Sequence, residues 1–190
     1  KSGHFGSPLL ILETICEFQD LIVSKERQIN VLLNEKSKSK YLSLKEEVDA
    51  FLLTMGEVSK YVNVIIENDD FLNVFRSHER WLEDKNNLFF FDQNGVKFVT
   101  KELIDKLESF PRTDFLFFSS SSYRKRFQFS EYLPNLNKAL VDIPTEKAHI
   151  AVTEYFKTLL PADSMTRFSP FTLKKQSNPN VYGLIFGSKH

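Results

Sequence analysis

Cysteine and glycine are scarce in this 190-residue chain: Cys16 is the sole thiol, and only six glycines are present. A single thiol excludes an internal disulfide and any zinc set built on cysteines. The neighbours of Cys16 place it on the buried side of a helix, as a small hydrophobe. Charge of one sign is also lacking, since 25 basic residues balance 25 acidic ones. Nucleic-acid affinity would therefore have to come from a local patch. No apolar run approaches the ~18 residues that span a bilayer, so no membrane segment is expected. The opening KSGHFGSP followed by LLILETICEF carries no signal-peptide pattern, which makes a cytoplasmic location the expectation. His4, His78, His149 and His190 show no metal-ligand spacing, so no metal site is expected, and His78 reads as a surface residue between Ser77 and Glu79. Neither a G-x-S-x-G elbow nor a P-loop occurs.

Phenylalanine is abundant instead, with nineteen residues, and the apolar share of 42% against 26% charged fits a globular chain with an aromatic core. The length suits one domain over residues 1–190. Ser7-Pro8 starts a helix that should run to about Arg27, with Ser7 as cap. INVLLN (29–34) reads as a strand, and Ser37 caps a helix with Tyr41, Leu44, Val48, Phe51 and Leu52 at helical spacing. A strand at 61–66 and a helix with Phe71, Val74, Phe75 and Trp81 repeat the pattern. LFFFD leads to a helix over 96–109, DFLFF (114–118) runs into four serines, and a helix over 146–160 follows. The closing stretches 166–175 and 181–189, joined by the turn-like QSNPN, are too close for a crossover and pair antiparallel if they pair at all. The expected fold is α/β: a mostly parallel sheet buried on both faces, ending in an antiparallel hairpin.

In open α/β sheets the ligand lies at the carboxyl ends of the strands. Those ends carry Asn34-Glu35, Glu67-Asn68-Asp69-Asp70, Asp92-Gln93-Asn94 and Ser119 to Ser122. Glu35 is best placed to accept both hydroxyls of a ribose, and Asp69 or Asp70 an adenine amino group. Ser119 opens a run that can form a hydroxyl-lined wall, and Tyr123-Arg124-Lys125-Arg126 can meet a phosphate backbone. The same residue types favour turns, caps and solvated faces, so each position carries both meanings.

The stretches KSGHFGSPLLILE, INVLLNEKSKSKYLSLKEEV, LFFFDQNGVKFVTKELIDKL, TDFLFFSSSSYRKRF and VYGLIFGSKH, in this order, resemble the three-Cys-motif partner family. Its members look like class I S-adenosylmethionine-dependent methyltransferases. The resemblance implies a Rossmann-like sheet ordered 3-2-1-4-5-7-6 with the seventh strand antiparallel. It also implies S-adenosylmethionine as cofactor, with Glu35 at the ribose and Asp70 near the adenine. The partner it implies carries three cysteines and is similar to radical S-adenosylmethionine proteins. The family's first strand and its Gly-rich loop, of the type D-G-F-A-G-P-G, are expected before Lys1, with Gly3 and Gly6 as the trailing glycines. The domain is thus expected to be N-terminally incomplete, and a sheet without that strand would fall into two pieces. Where the family reads D-P-F-G, this chain has Asp92-Gln93-Asn94-Gly95, which keeps the acid and loses the proline and the ring. Asp92 is the implied catalytic residue, with Asn94, Ser119, Tyr123, Arg124 and Arg126 towards a substrate, for which a nucleic-acid base is the superfamily's choice. A non-catalytic subunit that pairs with the three-cysteine protein is the alternative.

Overall fold

The computed structural model describes residues 6–92, 99–120, 143–144, 147–174 and 181–189, without the side chains of residues 119, 120, 174 and 181. The chain divides into two compact units, Lys1–His78 and Glu79–His190.

The first unit opens with α1 (Ser7–Glu17) and α2 (Gln19–Ser24), then β1 (Ile29–Asn34), α3 (Lys38–Leu52), a 3-10 turn (Gly56–Tyr61) and β2 (Val62–Glu67). Gly6, not Ser7, is the cap of α1, and the long first helix expected through Arg27 breaks at Phe18, whose ψ of 16° leaves the helical range. β1 and β2 pair in parallel from Ile29↔Val62 to Asn34↔Glu67. Val31 and Leu33 on β1 bury one face against Leu9 and Leu12 of α1 and Val48 of α3, with Val62, Val64 and Ile66 beside them. Each fully buried aliphatic side chain contributes roughly 1.5–3 kcal/mol, so this layer holds the parallel pair together. Met55 and Val58 around the 3-10 turn pack on Ile22 in a second cluster, and Gly56 supplies the positive φ of 64° that starts the turn.

α4 (Phe71–Leu82) carries the chain into the second unit, which holds β3 (Asn87–Phe91), α5 (Lys101–Ser109), β4 (Thr113–Ser120), α6 (Ala148–Leu159), β5 (Arg167–Lys174) and β6 (Val181–Ser188). The strands lie in the order β3-β4-β6-β5. β3 and β4 are parallel, and β6 is antiparallel to both β4 and β5. One face is rich in phenylalanine: Phe91 stacks on Phe117 at 4.8 Å, and Phe156 of α6 meets Phe117 at 4.8 Å and Phe168 at 6.0 Å. Phe110, just past α5, stacks on Phe89. Gly183 and Gly187 of β6 lie in this face because a Cβ on either would collide, with the His149 ring stem or with Phe115.

Two expectations are overturned here. The Rossmann-like class I sheet of mostly parallel strands does not form: among the described residues a two-stranded parallel sheet and a four-stranded mixed sheet stand separately. The outer edges of β1 and β3 have no described partner strand, and β6 enters between β4 and β5 with reversed direction, so parallel and antiparallel pairings are equally common. Nor are the strands buried on both faces. β1 exposes Asn30 and Asn34 while burying Val31 and Leu33, and β3 exposes Leu88 and Phe90 while burying Phe91, the alternation of a sheet with one covered face. No described helix is long and apolar enough to cross a membrane.

Candidate functional site

The parallel pair β1–β2 delivers its carboxyl ends to one edge, because parallel strands in register stop together. β1 ends at Asn34 and β2 at the opposite residue, Glu67, with the Glu35 N–H donating to the Glu67 carbonyl at 3.1 Å. The next residues form two turns that are tied to each other. Asn68 donates its amide to the Glu35 carbonyl at 2.7 Å and the Lys36 carbonyl at 3.1 Å. Lys36 crosses back to Asp70 Oδ2 at 2.9 Å.

Glu35 is half-buried at this edge, and its carboxylate is split between two situations. Oε1 accepts the Ser37 N–H at 2.8 Å, which fixes the side chain over the start of α3. Oε2 has no partner among the described residues. An anion beside the first turn of α3 is favoured by the free N–H groups and the helix dipole there. The fixed oxygen sets the direction of the other, which is the geometry needed to accept a hydroxyl pair.

The acids after β2 differ from one another. Asp70 is the cap of α4: Oδ1 accepts the Leu72 N–H at 3.1 Å, and Oδ2 takes Lys36. Asp69 is exposed and uses only Oδ1, which accepts the Asp70 N–H at 2.6 Å and the Asn73 amide at 3.1 Å. Asp69, rather than the capping Asp70, therefore has an oxygen to offer an outside donor. His78 corrects its surface reading: its side chain is 17% exposed, Nδ1 lies 3.0 Å from the Val74 carbonyl, and Nε2 lies 3.5 Å from Glu67 Oε1. Asn68, Lys36 and His78 are the edge residues that sequence reasoning passed over. The i to i+4 step from Val74 to His78 was the available signal, but the partner Glu67 is eleven residues back on another element.

Gly6 sits at the start of α1 with a φ of −72°, and a Cβ there would meet only Pro8 Cδ at 3.7 Å. Neither backbone nor space requires glycine at that position. Asp92 follows the last residue of β3 in the second unit and is exposed. Ser119 lies within β4 opposite Gly183, though its side chain is not described. Asn94, Tyr123, Arg124 and Arg126 lie outside the described residues. Glu35, Asp69 and Asp70 are thus brought to one edge of the first unit, and Asp92 belongs to the sheet of the second.

A cavity of about 540 Å³ in the second unit is lined by Glu108, Pro111, Pro161, Ser164, Met165 and Lys189, among others. It lies by the end of α5 and the start of β4, opposite the strand end that bears Asp92. Two of its charged groups are engaged: Glu108 accepts from Ser164 at 2.8 Å and from Thr166, and Lys189 donates to the carbonyls of Glu108 and Phe110. Lys189 thereby closes the carboxyl end of α5, where a cation complements the helix dipole. For Glu108 and Lys189 this is structural bonding. Among the described residues no group of three or more His, Cys, Asp or Glu can hold a metal ion. The Cys16 thiol is half-buried, and burial, followed by the Glu13 charge, raises its pKa, so it is a poor nucleophile. Comparison with protein-family models, with curated proteins and with solved structures finds no match to this chain.

Proposed function

We propose that the carboxyl edge of β1 and β2 binds the adenosyl part of S-adenosylmethionine and that the protein is a cytoplasmic methyltransferase-like protein with a nucleic-acid base as its substrate class. The observation that carries this reading is the Glu35 carboxylate, held through Oε1 by the Ser37 N–H while Oε2 stays without a described partner. A ribose offers two adjacent hydroxyl donors, and a half-buried carboxylate with a fixed orientation accepts them without reorganising. Asp69 stands ready for an exocyclic amine through Oδ2, and Asp70 serves by capping α4. Such a cofactor supplies a methyl group already activated by its sulfonium. The chain's own residues then have only to align a nucleophile.

Isothermal titration of S-adenosylmethionine and its demethylated product into the full chain tests the reading. Binding that weakens about 10- to 100-fold in Glu35→Gln is the expected outcome, the loss for a hydrogen bond to a charged group. Failure of the parent chain to bind either compound sinks it.

A second reading, a non-catalytic subunit that docks on a three-cysteine partner, is favoured by one surface. Leu10, Ile11, Phe18 and Leu21 of α1, α2 and the break between them are 48%, 39%, 56% and 57% exposed and recur at near-helical intervals. Absence of cofactor binding, together with loss of partner capture in Phe18→Asp, decides for this reading.

A further inference from the structure

The cleft beside the carboxyl end of α5 presents acceptors, and that decides what fits it. One wall is the last turn of α5 with Pro111, and the other is the loop over residues 160–166 that joins α6 to β5. A turn shapes the loop, the Ser164 N–H donating to the Pro161 carbonyl at 3.1 Å. Glu108 anchors it by accepting the hydroxyls of Ser164 and Thr166.

A hydroxyl has one hydrogen and two lone pairs, and an ammonium has three hydrogens. Ser164 and Thr166 direct their hydrogens to Glu108, and Ser109 directs its own to the Lys106 carbonyl at 2.7 Å. Lys189 holds the Glu108 and Phe110 carbonyls with two of its three N–H groups. The side chains around the cleft therefore keep lone pairs for a guest, and the third N–H of Lys189 is the one exception. Charge points the same way. Glu108 and Asp163 are two carboxylates to which no described cation is bonded, while the Lys189 ammonium rests on main-chain oxygens. The carboxyl end of α5 adds the negative pole of its dipole. Asp163 is exposed, so its carboxylate is open to a guest. Pro111, Pro161 and Met165 give the cleft an apolar side as well.

We propose that this cleft binds an alkylammonium ion, with the ammonium at Asp163 and the methylene stem along Pro111, Pro161 and Met165. The N–H donors of the guest match the lone pairs that the protein does not use, and its charge offsets the excess carboxylate. An anion would meet two carboxylates for one free N–H, and an inorganic cation would leave the apolar wall uncovered. The cavity of about 540 Å³ falls in the size range of small-molecule sites. A free polyamine and the lysine side chain of another protein offer this same chemistry. Asp163 and Met165 are both exposed, so contact is partial and affinity is modest.

The test is an amide NMR titration of the full chain with pentylamine, with pentanol as the uncharged counterpart. Saturable binding of pentylamine, with pentanol at least about tenfold weaker, is expected. Asp163→Asn should weaken pentylamine binding about threefold or more, as for an exposed ion pair. Met165→Lys, which brings its own ammonium to the cleft, should weaken it more. Both side chains are exposed, and unchanged amide spectra away from the cleft show that the variants fold. Spermidine binding more tightly than the Nα-acetyl amide of lysine assigns the cleft to a free polyamine, and the reverse order to a lysine side chain. Pentylamine that does not saturate, pentanol that binds equally well, or either variant binding as the parent does overturns the proposal.

Discussion

The side-chain amide of Asn68 donates to the main-chain carbonyl of Glu35 at 2.7 Å, so the turn after β2 holds the turn after β1 in place. The same amide reaches the Lys36 carbonyl at 3.1 Å, and one residue thereby restrains the whole carboxyl edge of the parallel pair.

Asn68→Ala removes both bonds and leaves the half-buried Glu35 carbonyl without this donor. A loss of about 1–2 kcal/mol of stability is expected from denaturant titration. Asn68→Asp should be at least as harmful, because it replaces the donor with an acceptor facing two carbonyls.

Asp70 and Lys36 separate the value of a cap from that of an ion pair. Asp70→Ala loses the Leu72 N–H acceptor at the start of α4 and should cost about 1 kcal/mol. Lys36→Ala removes only the ammonium, which is 75% exposed, and should cost about 0.5 kcal/mol or less, declining with added salt. Equal effects in thermal melts would refute the assignment of Asp70 as a cap.

Gly183→Ala and Gly187→Ala each place a methyl group where the His149 side chain or the Phe115 ring already stands. Overpacking in a layer of closely set rings should destabilise by about 2–3 kcal/mol. Gly6→Ala is the control, since its nearest neighbour is 3.7 Å away, and should change stability by less than about 0.5 kcal/mol. Similar losses at all three positions would contradict the close approach of α6 and β4 to β6.

Asp114 Oδ1 is buried with no hydrogen-bond partner among the described residues, in a strand position opposite Leu88. Desolvation of an unmet acceptor opposes folding, so Asp114→Leu is expected to raise stability by about 1 kcal/mol. A fall in the urea midpoint would show that the carboxylate does necessary work through its other oxygen.

The Cys16 thiol, raised by burial and then by Glu13, stays protonated through neutral pH. Above the ordinary thiol value of about 8.5 the unfolded chain loses this proton first, so native stability falls as pH rises towards the raised value. Thiol labelling at about pH 8 should be much slower in the native protein than in denaturant. The drop in stability between about pH 8 and 10 should be smaller in Cys16→Ala than in the parent.

Local pattern carried much of the fold. INVLLN and LFFF are short apolar runs between turn residues, and both form strands close to the expected bounds. Tyr41, Leu44 and Val48 recur at helical spacing, and α3 spans them. The break at Phe18 was not legible, because no proline or glycine marks it, and α2 turns to set Ile22 on Met55 and Val58 far along the chain. At the candidate edge, the acids were visible as strand-end residues, while their differing employment was not. Whether an aspartate caps a helix or keeps an oxygen open depends on neighbours such as Lys36 and Ser37, whose reach is a matter of turn geometry.

The sequence by itself determined the kinds of element and the aromatic character of the core, because helical and strand periodicities are local and a chain with nineteen phenylalanines has to bury many of them. Only the tertiary structure decided which strands are neighbours. Strand pairing joins residues distant in the chain, and β6, which lies between β4 and β5, is approached by His149 at Gly183 and by Phe115 at Gly187. The division of the described strands into a parallel pair and a mixed four-stranded sheet and the hold of Ser37 on one oxygen of Glu35 follow from packing, which no window of the sequence contains.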